Sequence, residues 1–252
     1  MTIYQAFILG IIQGLTEFLP VSSSGHLVIT QTFLGISHPP LLFDVMVHVG
    51  SLIAVIIFFL SRLKKITLHL AKLTIIGTIP AAIVGLLIEP LLESIFTSLL
   101  IVGLGLIWTA ILLASTKIWP PSKKPFPLTP TKSLIIGIFQ AIAIMPGVSR
   151  SGSTISSASI QGISKESAFY FSFLLAIPAI LGAMVLQLSE LQSLDQLLTI
   201  PFIVGFLSAT ISGLFALRLL QHLIKSTKLH YFSVYCFLLG LGVLWANFNL
   251  TS

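Results

Sequence analysis

Charge is nearly missing from this chain of 252 residues. It holds 13 Lys and Arg against seven Asp and Glu, 8% in all, beside 56% hydrophobic residues and a mean hydropathy of +1.07. So little charge excludes a soluble domain of this size and points to a polytopic membrane protein. The net charge of +6 is small and sits in loops, so nucleic acid is excluded as a partner and the charge reads as a topology signal. A single cysteine, Cys236, excludes an intramolecular disulfide and a Cys-based metal cluster. No Lys or Arg precedes Arg62, so a basic n-region is missing and no secretory signal peptide is expected.

What is present is apolar sequence in bilayer-length runs. About 20 apolar residues cross a bilayer as a helix, and residues 41–60, 70–88, 97–116, 166–188, 200–220 and 231–248 qualify. Residues 4–35 and 133–160 are apolar but broken, the first by Pro20 and the Ser22–Gly25 run, the second by Pro146, Gly147 and the Ser149–Ser153 run. Each reads as a short helix, a loop and a second short helix. Irregular backbone survives at membrane depth only when buried in protein or lining a wet cavity, so both are expected to be re-entrant hairpins.

The loops orient the spans. Arg62, Lys64, Lys65 and Lys72, then Lys117, Lys123, Lys124 and Lys132, then Arg218, Lys225 and Lys228 mark three cytoplasmic connections. The opposite loops carry Glu89, Glu93, Glu190 and Asp195 and no Lys or Arg. Both termini then lie outside, and the hairpins enter from opposite faces.

The two breaks are copies. At an offset of 127 residues, Ser22, Ser24 and Gly25 fall on Ser149, Ser151 and Gly152, and Gly10, Gln13 and Val21 fall on Gly137, Gln140 and Val148. Gly77, Ala81 and Gly85 match Gly205, Ala209 and Gly213, and the run from Gly103 to Trp108 matches Gly240 to Trp245. The expected fold is an all-α single membrane domain, 1–252, built as an inverted repeat. Residues 1–116 form one half and 133–252 the other, each a hairpin plus three spans, joined by a cytoplasmic linker at 117–132. Three spans is an odd number, which inverts the second half. Transporters of this architecture place their site at the repeat interface.

One copy carries Glu17 and His26, the other Arg150. Ionisable groups at membrane depth are costly and mark functional sites. Gln13 and Glu17 stand four apart on one helical face. With the serines and His26, that face could hold a hard divalent cation, which favours oxygen ligands and leans on substrate phosphates. Arg150 offers a permanently charged fork for phosphate, and helix N-termini at the Ser/Gly loops attract anions. His26 can act as base, nucleophile or acid, and Ser22, Ser23 and Ser24 are candidate nucleophiles. The inventory suits phosphoryl transfer. Glu17 is the natural partner of Arg150 before substrate binds.

Other polar positions have plainer readings. The Gly77/Ala81/Gly85 set and its match serve close helix packing. Trp108 and Trp245 are interface anchors or packing residues. Asp44 and His48 form either a supporting pair or an exposed one at the outer end of the first span. Lys165 and Glu166 begin a helix as a solvated cap, and His38, His69, His222 and His230 sit in or beside loops and read as structural or exposed.

The Gln13-x-x-x-Glu17 pattern, the run PVSSSGH at 20–26 and PGVSRSGST at 146–154 resemble the two signature regions of the undecaprenyl-diphosphatase family of the bacitracin-resistance type. The resemblance covers essentially the whole chain, including FDVMVHVGSLIAV at 43–55. It implies hydrolysis of undecaprenyl diphosphate to undecaprenyl phosphate and phosphate in the bacterial inner membrane, recycling the lipid carrier for peptidoglycan. It implies dependence on a divalent cation, Mg²⁺ or Ca²⁺, and a site open to the outer face. By the same resemblance Glu17 binds metal or polarises the attacking group, and Gln13 stands where the family takes Glu or Gln. Ser23 and His26 compete as nucleophile, with an activated water as the third option. Arg150 clamps the diphosphate with Ser149, Ser151 and Thr154, and Gln13, Ser22, Ser24, Gly25 and Gly152 are the further residues expected to bind substrate. The pieces SGH and SR also occur in phosphatidic-acid-type lipid phosphatases, but no His follows Arg150 until His222. The implied partners are the bilayer and a polyprenyl diphosphate lipid, with a homodimer left open. The alternative is a transporter moving a polyprenyl phosphate by alternating access.

Overall fold

A computed structural model describes residues 1–36, 41–118, 128–188, 199–225 and 229–251. His38, Lys123, Lys124, Glu190, Asp195, Lys228 and the middle of the expected linker lie outside the described residues. Within them the chain is helical, without strands: α1 Ile3–Phe18, α2 Ser23–Phe33, α3 Leu41–Leu63, α4 Leu68–Ile88, α5 Leu92–Phe96, α6 Leu99–Ile118, α7 Pro130–Ile142, α8 Arg150–Ile160, α9 Lys165–Leu188, α10 Ile200–Lys225 and α11 Tyr231–Thr251. Six helices, α3, α4, α6, α9, α10 and α11, are long and apolar enough to cross a membrane. They fall on the six segments that hydropathy marks.

The two broken segments fold as helix pairs. α1 and α2 have 16 and 11 residues, α7 and α8 have 13 and 11. At 1.5 Å per residue none reaches the roughly 30 Å of a hydrocarbon core. The first break follows from Pro20, which lacks an N–H and forces Leu19 into extended backbone (φ −65°, ψ 144°). The second turns at Gly147, whose φ of +88° suits glycine alone. A Cβ there would also strike the Val102 carbonyl.

The duplicated serines restart the chain as helix. Ser22 Oγ accepts from Gly25 N at 3.3 Å to begin α2, and Ser149 Oγ accepts from Gly152 N at 3.0 Å to begin α8. The shared Ser-x-x-Gly spacing is thus a capping device in both copies. The copies differ in one respect. Ser22 has φ +70°, the only non-glycine residue with positive φ among those described, whereas Ser149 is extended. Such strain costs about 1–3 kcal/mol and collects at functional sites.

Corresponding helices pack in corresponding ways. α1 lies on α10 as α7 lies on α4, α3 meets α10 as α4 meets α9, and α6 pairs with α11. The closest approaches are glycine on glycine: a Cβ on Gly10 would run into the Gly205 backbone, and one on Gly137 into Gly77. Gly77, Gly205 and Gly213 of the small-residue sets therefore serve packing, whereas Gly85 has no close neighbour. An aromatic cluster of Phe18, Phe59, Phe169 and Phe173 fills the centre beside the second hairpin. Trp245 is 72% exposed on the outer surface of α11, as a lipid-facing residue would be.

Candidate active site

The two hairpin turns meet inside the helix bundle. A Cβ on Gly25 would come within 3.2 Å of Gly147 Cα, and one on Gly152 within 3.4 Å of Pro20. Ser151 Oγ donates to the Leu19 carbonyl at 3.2 Å, tying the second turn to the end of α1. Thr109 on α6 fixes the second turn from behind: it donates to Gly147 O (3.0 Å) and accepts from Ser149 N (2.9 Å). Pro20 O accepts from Cys236 Sγ at 3.6 Å.

Glu17 is the hub where the turns meet. It is 7% exposed, in the last turn of α1. Its Oε1 accepts from Arg150 Nη2 at 2.6 Å. Its Oε2 accepts from Ser23 Oγ at 2.6 Å and from Gln13 Nε2 at 3.0 Å, with His48 Nε2 3.8 Å away. Each charge sits at the end of its own helix whose dipole opposes it, Glu17 at a C-terminus and Arg150 at an N-terminus. Pairing offsets both penalties and the desolvation of each ion. Arg150 is held further by Ser172 O at 3.4 Å and by the Phe173 ring, 5.8 Å from the guanidinium carbon. Thr154 bonds Ser172 Oγ at 2.6 Å.

Ser23 therefore has its hydroxyl on a carboxylate, not on a histidine. His26 faces elsewhere. Its Nδ1 lies 2.7 Å from Ser22 O, and since a carbonyl only accepts, Nδ1 carries the proton. Its Nε2 is then the acceptor for Tyr235 Oη, 2.6 Å away, with the two rings stacked. His26 also accepts nothing from Ser23; it fastens the carbonyl of the strained residue that presents Ser23.

Of the residues picked from sequence, Gln13, Glu17, Ser23 and Arg150 come together directly. Ser22 and Ser149 are spent on capping, and each shares a 3.3 Å contact with the serine two residues on, Ser24 and Ser151. The first N–H groups of α2 and α8 have no intrahelical acceptor, which suits both helix starts to anions. Two contributors, Ser51 and Tyr235, escaped the motif search, and His48, one of whose two readings was a supporting role, lies beside Glu17. Ser51, 3.4 Å from Gln13 Nε2, and His48 lie on α3 with Asp44, at spacings of four and three. That polar stripe on an apolar helix was a readable signal. Asp44 itself accepts from Gln31 at 2.8 Å, and its backbone carbonyl takes the His48 Nδ1 proton at 2.6 Å. Tyr235, one of several aromatics in its span, gave no such signal.

Among the described residues no three His, Cys, Asp or Glu side chains gather as a ready-made metal site. The oxygen donors that do gather are the Glu17 carboxylate, Ser23 Oγ and Gln13 Oε1, the last buried without a hydrogen-bond partner. That set fits a hard cation which completes its shell from a phosphate ligand and water.

Comparison with known proteins adds the family context. The family described as Bacitracin resistance protein BacA matches residues 6–242. A Korarchaeum cryptofilum protein named undecaprenyl-diphosphatase is 42% identical over 264 residues, covering 97% of this chain and 99% of its own. One of the same name from Carboxydothermus hydrogenoformans is 42% identical over 253 residues, 97% of each chain. Another from Methanobrevibacter smithii is 40% identical over 269 residues, 96% of this chain and 97% of its own.

Proposed function

Since the chain belongs to the bacitracin resistance protein BacA family, we propose that its meeting hairpins form the centre of a membrane phosphatase. It hydrolyses undecaprenyl diphosphate to undecaprenyl phosphate and phosphate. The observation that carries the chemistry is the buried Ser23–Glu17–Arg150 chain, a hydroxyl on a carboxylate that a guanidinium holds. The diphosphate draws Arg150 off Glu17, because a doubly bonded phosphate satisfies the guanidinium fork as well as the carboxylate did. Glu17, relieved of its counter-ion, becomes a stronger base beside the Ser23 proton.

Ser23 Oγ then attacks the terminal phosphorus and its proton passes to Glu17. The bond to the bridging oxygen breaks, and its electron pair leaves with undecaprenyl phosphate, which takes the proton from Glu17. A water next gives its proton to Glu17 and attacks the phosphoserine; phosphate departs and Ser23 recovers its hydrogen from Glu17. The N–H groups at the start of α8, with Thr154 behind them, hold the non-reacting oxygens. A Mg²⁺ or Ca²⁺ held by Glu17 and Gln13 would supply further neutralisation of phosphate charge.

His26 is a positioning residue in this scheme. Asn can place an amide N–H where Nδ1–H stands, so His26→Asn is expected to keep about five- to tenfold more kcat than His26→Ala, one retained hydrogen bond being worth roughly 1–1.5 kcal/mol. Equal inactivation of the two variants would favour His26 as the nucleophile.

The membrane setting we propose follows from the charge pattern. The loops rich in Lys and Arg lie in the cytoplasm, both termini outside, and the hairpins re-enter from opposite faces. The halves 1–116 and 133–252 are inverted copies, and the exchange of partners between α1–α10 and α7–α4 supports this. The site then opens to the outer face of the bacterial inner membrane, where it recycles the carrier lipid for peptidoglycan and lowers sensitivity to bacitracin.

Purified protein is expected to release phosphate from undecaprenyl diphosphate with Mg²⁺ or Ca²⁺ present and to slow on chelation, leaving undecaprenyl phosphate as lipid product. Movement of labelled lipid phosphate across vesicles with no phosphate released would replace the enzyme with the transporter.

A further inference from the structure

The two halves of the bundle are not equally closed. Where α3 crosses α10, Gly205 lies under the Phe43 ring and Gly50 against the backbone carbonyl of Phe206, while Thr210 Oγ1 bonds Gly50 O at 3.0 Å. Gly213, further along, is packed by Phe18 and Ala54. The corresponding crossing of α4 and α9 stands open. Gly85, the counterpart of Gly213, has only Ile144 nearby, at 3.7 Å, and Gly182 on α9 has no atom in reach of a Cβ. A cavity of about 750 Å³ fills the gap. Its walls are mostly apolar, from Ala82 and Gly85 on α4 to Pro178 and Gly182 on α9, with Arg150 and Gln140 at the hairpin and Glu89 at the end of α4. Past Thr78, Ala82 and Pro178 the furrow continues into a second, wholly apolar cavity of about 630 Å³.

Gln140 is the odd member of this lining. It is 2% exposed, and neither its amide nitrogen nor its amide oxygen has a hydrogen-bond partner. Its counterpart in the first half, Gln13, donates to both Glu17 and Ser51. The same offset of 127 puts Ile144 in place of Glu17 and Pro178 in place of Ser51, and an offset of 128 puts Ala179 there. Both of its partners have been exchanged for apolar residues that line the cavity. A buried amide with nothing to bond is among the worst choices for a core position. It is the expected choice where a ligand supplies the missing partner.

We infer that Gln140 is a substrate-binding residue whose amide, beside Arg150, grips the diphosphate of a lipid whose polyprenyl chain leaves through the α4–α9 gap. The occupant is a long apolar chain ending in an anion because the gap is apolar along most of its length, carries the Arg150 guanidinium and the Gln140 amide at the hairpin, and has its one acid, Glu89, at the end of α4. Duplication supplied two equal crossings. One was closed by Phe43 and Thr210 to hold the Glu17 side rigid, and the other was left open for the substrate. The inference rests on the phosphatase reading above and adds to it a residue and a route.

Two variants of the full chain test it. Gln140→Leu keeps the volume and removes the amide. It is expected to lower kcat/KM for undecaprenyl diphosphate, and to weaken binding of inorganic pyrophosphate measured by calorimetry, by about tenfold each. The melting temperature should stay level or rise, since no native bond is lost. Gly182→Phe fills the open crossing. It is expected to raise KM for undecaprenyl diphosphate by about tenfold and leave pyrophosphate affinity unchanged, because pyrophosphate has no tail. A lower melting temperature for Gln140→Leu would make Gln140 a structural residue and overturn the inference. So would unaltered pyrophosphate affinity in Gln140→Leu, or an unaltered KM in Gly182→Phe. A wild-type protein that released no phosphate would defeat the phosphatase reading instead, and the calorimetric arm would still decide Gln140.

Discussion

Glu17→Gln is expected to lower kcat for phosphate release by about three orders of magnitude, the usual worth of a general base. The variant is close to isosteric and its amide oxygen can still accept the Ser23 bond that is 2.6 Å long in the native chain. What it loses is the capacity to take the proton. Ser23→Ala should fall as far, by removing the attacking oxygen. Acid quenching during turnover should trap a phosphoserine at Ser23 in the wild type, with formation suppressed in Glu17→Gln. A variant within tenfold of wild type would show that Glu17 is not the base. Phosphate trapped on His26 would move the nucleophile there.

The second large effect is on stability. Arg150→Met leaves the Glu17 carboxylate buried without its counter-ion, and Glu17→Gln leaves the guanidinium in the same position. Breaking a buried pair from either side costs about 3–5 kcal/mol. Replacing both members removes two desolvation penalties together, so the double variant Glu17→Gln/Arg150→Met is expected to melt above either single variant and near the wild type. The coupling should exceed about 2 kcal/mol. Melting followed by tryptophan fluorescence in detergent measures it, and simple addition of the two losses would refute the description of Glu17–Arg150 as a mutually neutralising pair. The recovered double variant should remain inactive, which separates folding from catalysis at the same two positions.

The sequence was informative wherever the bilayer made a residue costly. Six spans of about 20 apolar residues had no other use, and Pro20 and Gly147, each followed by a serine-rich run, marked breaks where Pro80 and Pro178 stay inside spans. Glu17 and Arg150 stood out because an ion at that depth requires a partner. Their match in kind, one acid and one guanidinium in the two copies of one motif, made the pairing legible across 133 residues. The sequence was less informative about neighbours on other helices. The polar stripe of Asp44, His48 and Ser51 on α3 was legible, but that His48 and Ser51 face Glu17 and Gln13 is seen only with α3 against α1, and Tyr235 looks like any aromatic in a span. The role of His26 was beyond reach for a sharper reason. Its ring can serve as base or as fastener depending on which acceptor Nδ1 meets, and that acceptor, the carbonyl of Ser22, is a backbone atom set by a positive φ.

The repeat shows the same division. Residue identities alone determined that this is a membrane protein of two related halves with one acid, one histidine and one arginine in its broken segments, because hydropathy, helix-breaking and the cost of buried charge act locally along the chain. Which hydroxyl meets the carboxylate, and which of the two equivalent helix crossings stays open, only the tertiary structure decided. The first depends on how the turn at Ser22, with its positive φ, aims Ser23 at a carboxylate six residues away, and the second on how closely helices distant in sequence pack.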